Sequence, residues 1–173
     1  MNSLSPVKDN KGFTLLELLV ALVLIGIILS FATLTFDSGE DRRIKEEANR
    51  FYGLVKLAQE ESILNDRELS LEIDADGYRF TVLTDEGEEA IEDPVFRERV
   101  FAEYIQPVIN IEKTQFNLKS QKDKEQSQSV KIFILSSGEL TPFQIEFPAS
   151  DKKYEIVGSM QGTVEIITHH KDS

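Results

Sequence analysis

The sequence predicts an α+β protein: one long N-terminal α-helix followed by a head of antiparallel β-strands. Three observations carry that prediction. An apolar run extends from Phe13 to Phe36, and apolar residues then recur at steps of three or four as far as Leu64. From Asp66 onward the apolar period changes to two. Helical periodicity first and strand periodicity afterwards, without alternation, indicates α+β rather than a parallel α/β sheet.

The run FTLLELLVALVLIGIILSFATLTF (13–36) contains sixteen Leu, Ile, Val or Phe residues and a single charge, Glu17. A helix of that length rises about 36 Å, enough for a hydrocarbon core of about 30 Å. Each large apolar side chain favours insertion by about 0.3–0.6 kcal/mol and one central carboxylate opposes it by about 3 kcal/mol, so the apolar total wins. A secretory signal peptide fits poorly: its apolar region is shorter, and Ser30, Ala32 and Thr33 offer no clean A-x-A cleavage site. Lys8 and Lys11 lie on one flank and Arg42, Arg43 and Lys45 on the other, so basic residues alone leave the orientation open.

Residues 37–65 form the amphipathic half. Ile44, Ala48, Phe51, Val55, Ala58 and Ser62 trace one face, while Arg43, Glu46, Glu47, Arg50, Lys56 and Glu60 occupy the rest. Glu46 and Arg50 stand at the favourable i,i+4 spacing. The reading is one helix from Phe13 to about Leu64, with a bend near Gly39.

The head follows, over residues 66–173. Leu69, Leu71 and Ile73 alternate with polar residues, then Asp74-Ala75-Asp76-Gly77 precedes Tyr78, Phe80 and Val82, the pattern of a hairpin. Asp74-x-Asp76-Gly77 begins like an EF-hand but puts glycine fourth rather than sixth and has no flanking helices, so the expectation is a turn. Asp85–Asp93 (DEGEEAIED) reads as a solvated acidic loop. Strand-compatible pieces lie at Phe101–Ile105, Val108–Ile111 and Thr114–Leu118. Lys119–Ser129 has no apolar residue and reads as an exposed loop. Val130–Leu135 is nearly continuous apolar and reads as a central strand. Phe143, Ile145 and Phe147 alternate inward after Pro142, and Tyr154–Val157 and Thr163–Thr168 complete the set.

Composition narrows the function. The 173 residues include 31 acidic and 19 basic ones, a formal charge of −12, which disfavours neutralising the phosphates of nucleic acid. With no cysteine there is no disulfide, thiolate metal site or cysteine nucleophile. His169 and His170 are the only histidines, fall in a polar C-terminal tail and read as solvent-exposed. No P-loop, G-x-S-x-G or zincin pattern occurs. The reading is a protein that is not an enzyme, with no catalytic residue, no cofactor and no metal.

Lys11-Gly12-Phe13-Thr14-Leu15-Leu16-Glu17-Leu18-Leu19-Val20 resembles the processing motif of type IV pilins and pseudopilins. The resemblance implies that a prepilin peptidase removes residues 1–12 as a leader, cutting between Gly12 and Phe13, and that Phe13 is then N-methylated. It implies that Glu17, fifth in the mature chain, pairs with the N-terminal amine of a neighbouring subunit and sets the axial stagger of a filament. Residues 13–36 would be the transmembrane and filament-core helix. Ile134–Phe143 (ILSSGELTPF), with Asn65–Leu69 and Gly77–Phe80, is similar to the H-type minor pseudopilin of the type II secretion system, the GspH/FimT-like family. That resemblance implies a pilin-like fold, with the helix packed on a two-sheet antiparallel sandwich in the periplasm. It also implies an inner-membrane anchor and a place near the pseudopilus tip. Implied partners are other pseudopilins (the shaft subunit and minor tip subunits), the peptidase, the inner-membrane assembly platform and secreted cargo. A type IV pilus minor pilin for DNA uptake or adhesion is the alternative. Loss of the leader leaves 17 basic and 30 acidic residues, interspersed, where a DNA-binding pilin needs a basic stripe.

Overall fold

The computed structural model describes residues 15–33, 39–91, 93–111, 114–117 and 129–171, with the backbone alone for 28–33 and 114–117. The chain divides into two compact units, residues 1–38 and 39–173. In the first, α1 spans Leu15–Thr33 (19 residues) and is apolar all round, Leu15 through Ile27 being exposed on every face. Nineteen residues rise about 28 Å. Among the described residues no helix is long and apolar enough to cross a membrane. The apolar run of the sequence continues into 13–14 and 34–36, which lie outside the described residues, as does the stretch (34–38) through which a single helix would have to continue.

The second unit opens with α2, Gly39–Leu64. Its expected inward face is buried throughout: Ile44, Ala48, Phe51, Val55, Ala58 and Ser62, joined by Leu54 and Gln59. Residues three and four apart stack on one side of a helix, so this spacing delivers a single stripe to the head. The chain turns at Asp66, whose φ of 47° is left-handed, a conformation that a short acidic side chain tolerates better than most. The basic–acidic pairs are shifted from the expected Glu46–Arg50: Arg42 pairs with Glu46, and Arg50 with Glu47 one turn earlier.

Two antiparallel sheets form the sandwich. The first contains β1 (Leu69–Ile73), β2 (Gly77–Thr84), β3 (Gly87–Ala90) and the short β4 (Arg99–Val100), with a single 3-10 turn at Pro94–Phe96 before β4. The second begins with β5 (Val108–Ile111) and β6 (Thr114–Asn117). β7 (Val130–Ile134) then returns to the first sheet, and β8 (Phe143–Pro148), β9 (Lys152–Gly158) and β10 (Val164–His170) complete the second. The orders are β3-β2-β1-β7, with β4 also on β2, and β10-β9-β8-β5-β6. Register places Leu69, Leu71 and Ile73 opposite Val82, Phe80 and Tyr78 on one side and Ile134, Ile132 and Val130 on the other. One face therefore carries the apolar set of all three strands. In the second sheet Phe143, Ile145 and Phe147 alternate inward as expected. Their cross-strand partners include Ile109, Ile156 and Tyr154.

Phe51 of α2 joins the two sheets. Its ring stands 5.2 Å from Tyr78 on the first sheet and 5.8 Å and 6.5 Å from Phe147 and Phe143 on the second. Phe101 closes the cluster from the other side, 5.4 Å from Tyr78 and 6.1 Å from Phe147.

Several expectations are corrected. Val130–Leu135 is not central: β7 lies at the end of its sheet's order, with Val130, Ile132 and Ile134 buried and Phe133 exposed. Its free side is partly covered, since the Thr141 amide donates to the Phe133 carbonyl at 2.9 Å and the Thr141 hydroxyl accepts from the Phe133 amide at 3.1 Å. An apolar run was the wrong sign of centrality, because an edge strand with one buried face needs only alternate apolar residues. The acidic segment 85–93 is not wholly loop; Gly87–Ala90 pairs with β2 as an exposed edge strand, a place where charge discourages further pairing. Phe101–Ile105 is a turn whose two ends, Phe101 and Ile105, are buried, not a strand. His169 and His170 belong to β10, and His169 is half-buried against Glu155. Residues 118–128 of the polar segment lie outside the described residues.

Truncating Phe51 opens a void where helix and both sheets meet, and Phe→Ala at such sites costs about 3–5 kcal/mol. Phe51→Ala should lower head stability by that amount in urea unfolding of the detergent-solubilised chain; a loss below about 1 kcal/mol would contradict the packing described.

Candidate processing and assembly site

Of the three residues expected to form the processing and assembly site, the structure places one. Glu17 is the third residue of α1 and lies in its first turn. Gly12 and Phe13 lie outside the described residues. At a helix start the free amide dipoles favour a carboxylate by about 0.3–1 kcal/mol. Leu15, Leu16, Leu18 and Leu19 surround Glu17 with exposed apolar surface, Leu15 being 84% exposed. A helix apolar on all sides is covered by lipid or by other helices when it is buried. In either setting a carboxylate is costly unless a cation or a proton accompanies it.

The head also holds a set of polar side chains buried on the inward face of α2. Glu47, read from sequence as outward-facing, is only 7% exposed and accepts hydrogen bonds from the Tyr78 hydroxyl at 2.9 Å and from Arg50 at 2.5 Å. Burial, reinforced by the adjacent Glu47 carboxylate, pushes the Tyr78 phenol well above its usual pKa, so it remains a donor. Gln59 Nε2 donates to the carbonyls of Gly138 at 2.7 Å and Gly162 at 2.8 Å, tying together two turns far apart in sequence. Ser62 donates to the Arg67 carbonyl at 2.6 Å. Gly162 has a φ of 86°, and a Cβ there would lie 2.2 Å from the Gly138 carbonyl oxygen, so both backbone shape and space demand glycine. These staples had no periodic signal: Glu47 and Gln59 each sit beside an apolar stripe position, Ala48 and Ala58, and only that adjacency could have marked them. The turn at Asp74 uses its carboxylate locally, accepting from the Asp76 and Gly77 amides at 2.8 Å each.

An apolar N-terminal helix with one carboxylate in its first turn, followed by an amphipathic helix roofing an antiparallel sandwich, defines a pilin-like subunit. The segment 7–33 matches the prokaryotic N-terminal methylation motif. The chain is 32% identical over 144 residues to the type II secretion system protein H of Pseudomonas aeruginosa, covering 80% of this chain and 83% of that protein. It is 28% identical to the protein of that name from Vibrio cholerae, covering 91% of this chain and 94% of that one. A crystal structure of the minor pseudopilin EpsH of the Vibrio cholerae type II secretion system shares the fold, with a TM-score of 0.58 at 26% identity over 75% of this chain and 95% of that chain. The chain belongs to the family of type II secretion system protein H.

Tyr78→Phe removes a donor from Glu47 and leaves a buried carboxylate short of one partner, a change that typically costs about 1–3 kcal/mol. Thermal unfolding of the full chain should show it; an unchanged midpoint would mean that the hydroxyl contributes nothing to holding Glu47.

Proposed function

We propose that the chain is a minor pseudopilin, a structural subunit near the tip of the type II secretion pseudopilus that helps export folded proteins across the outer membrane. The observation that carries this reading is the likeness to a protein H relative over 91% of the chain, beside the separate match of residues 7–33 to the methylation motif.

The proposed mechanism is mechanical. Peptidase cleavage between Gly12 and Phe13 removes residues 1–12 and exposes a new α-amine, which is methylated. The mature subunit rests in the inner membrane through residues 13–36 with its head in the periplasm. The assembly platform then draws the apolar helix out of lipid into a filament core, where helices of neighbouring subunits cover one another. In this reading the new amine of the adjacent subunit meets the Glu17 carboxylate. In a low-dielectric core that ion pair offsets the cost of burying both charges and fixes the axial step between subunits. Other pseudopilins are the partners of helix and head alike. The acidic surface supports protein partners and solubility rather than DNA.

Mass spectrometry of the mature protein should find N-methylated Phe13 at the N-terminus; an intact Met1 in assembled material would overturn the processing. Glu17→Leu should insert into membranes normally yet enter filaments at least ten-fold less, measured by co-purification with the shaft subunit. Incorporation equal to wild type would rule out the pairing.

A further inference from the structure

The head exposes apolar side chains at the C-terminal end of α2. Leu64 is 80% exposed, Met160 59% and Ile63 50%. Ile63 and Met160 stand over adjacent turns, and Leu64 follows Ile63 as the last residue of α2. Ile63 lies over the Ser136–Gly138 turn, since a Cβ on Gly138 would sit 3.3 Å from Ile63 Cδ1. Met160 occupies the neighbouring Ser159–Gly162 turn, closed by the Gly162 amide donating to the Ser159 carbonyl at 2.9 Å. Gln59 holds both turns through one side-chain nitrogen, and the Leu140 amide donates to the Met160 carbonyl at 3.4 Å. The ridge therefore stands on a platform already held in place, and little ordering is left for a partner to supply.

The charge near the end of α2 is predominantly acidic. Glu60 and Glu139 are exposed beside it. One helical turn before Leu64, Glu61 opens a groove of about 450 Å³ in which Glu61, Glu89 and Asp93 outnumber a single guanidinium, Arg67, already paired with Glu61. No basic residue stands in the last turn of α2, so the partial negative charge of the helix end adds to the same field. A second copy docking through this pole would set acid against acid, an arrangement that costs several kcal/mol. The complement is a different chain, with an apolar centre to cover the ridge and a Lys or Arg to enter the groove.

We propose that this pole is the docking surface for another pseudopilin, one whose contact face pairs an apolar centre with a basic rim. The proposal rests on the minor-pseudopilin reading above and assigns that reading a surface. Gly39, where the chain joins the head, is at the other end of α2, about 38 Å away along the helix, so the pole is the remote end of the head. Val100, 78% exposed, is a natural control: β4 pairs with β2 at Gly77 and Tyr78, and Tyr78 reaches Glu47 in the first half of α2, far from Leu64.

The experiment places p-benzoylphenylalanine, a photo-crosslinking residue, at Leu64, Met160, Val100 or Leu22 of α1. The full chain is expressed in cells together with its accompanying pseudopilins, and adducts are identified by mass spectrometry. Leu64 and Met160 should give adducts with another pseudopilin at least five-fold above Val100. The pair Glu89→Lys and Asp93→Lys should cut those adducts at least three-fold, while Glu103→Lys with Glu165→Lys, equal in charge, should not. Equal yields from Val100, adducts with a second copy only, or indifference to the groove charges would each overturn the docking surface. If Leu22 yields pseudopilin adducts and the pole none, the surface assignment fails and the pseudopilin reading stands. If no position yields one, the pseudopilin reading fails and takes the surface assignment with it.

Discussion

The head depends on one helix face. Phe51 and its neighbours on α2 form the wall against which both sheets close, with Tyr78 reaching it from the first sheet and Phe143 and Phe147 from the second. Neither sheet buries a full apolar face alone; each is half a core, and the aromatic cluster is where the halves meet. Strand registers follow from this constraint, because a slip of one residue would turn Leu69, Leu71 and Ile73 away from the helix. The outer faces, free of the constraint, mix polar and charged residues with exposed apolar ones such as Phe133 and Ile167.

Burying a helix face so completely brings polar groups with it, and the fold gives each a partner. Glu47 has Tyr78 and Arg50, Gln59 has two turn carbonyls, and Ser62 has the Arg67 carbonyl. A buried polar atom without a partner costs far more than a hydrogen bond contributes, so these contacts specify position more than they add stability. Gln59 connects internal packing to the surface. By holding the 136–138 and 159–162 turns it brings the surface under Ile63 and the turn that carries Met160 together at the end of α2. Apolar surface at the pole and along α1 is exposed in both places, Leu64 and Leu15 each being more than three-quarters exposed.

Much of the fold was legible because periodicity reports burial directly. The stripe from Ile44 to Ser62, the β1–β2 hairpin and the inward set of β8 all follow from which residues avoid water. The errors fall where burial and secondary structure come apart. Phe101 and Ile105 are apolar because they plug the core from a turn. Gly87–Ala90 is charged yet forms a strand, because an edge strand's stability comes from its backbone pairing with β2. Of the candidate site, the motif around Gly12, Phe13 and Glu17 was legible as a resemblance, since glycine, phenylalanine and one acid within an apolar run are unusual together.

The sequence by itself determined the division of this protein into an apolar helix with one acid, an amphipathic roof and an acidic β head, because each is written in local apolar spacing. Tertiary structure alone decided which strands share a sheet, why β7 lies at an end, and how residues 59, 138 and 162 come to meet. Those outcomes depend on contacts between segments as many as 103 positions apart, as with Gln59 and Gly162, and no local period encodes them. The docking pole belongs to the same class: its apolar and acidic residues are scattered along the chain and become a surface only when the turns close around Gln59.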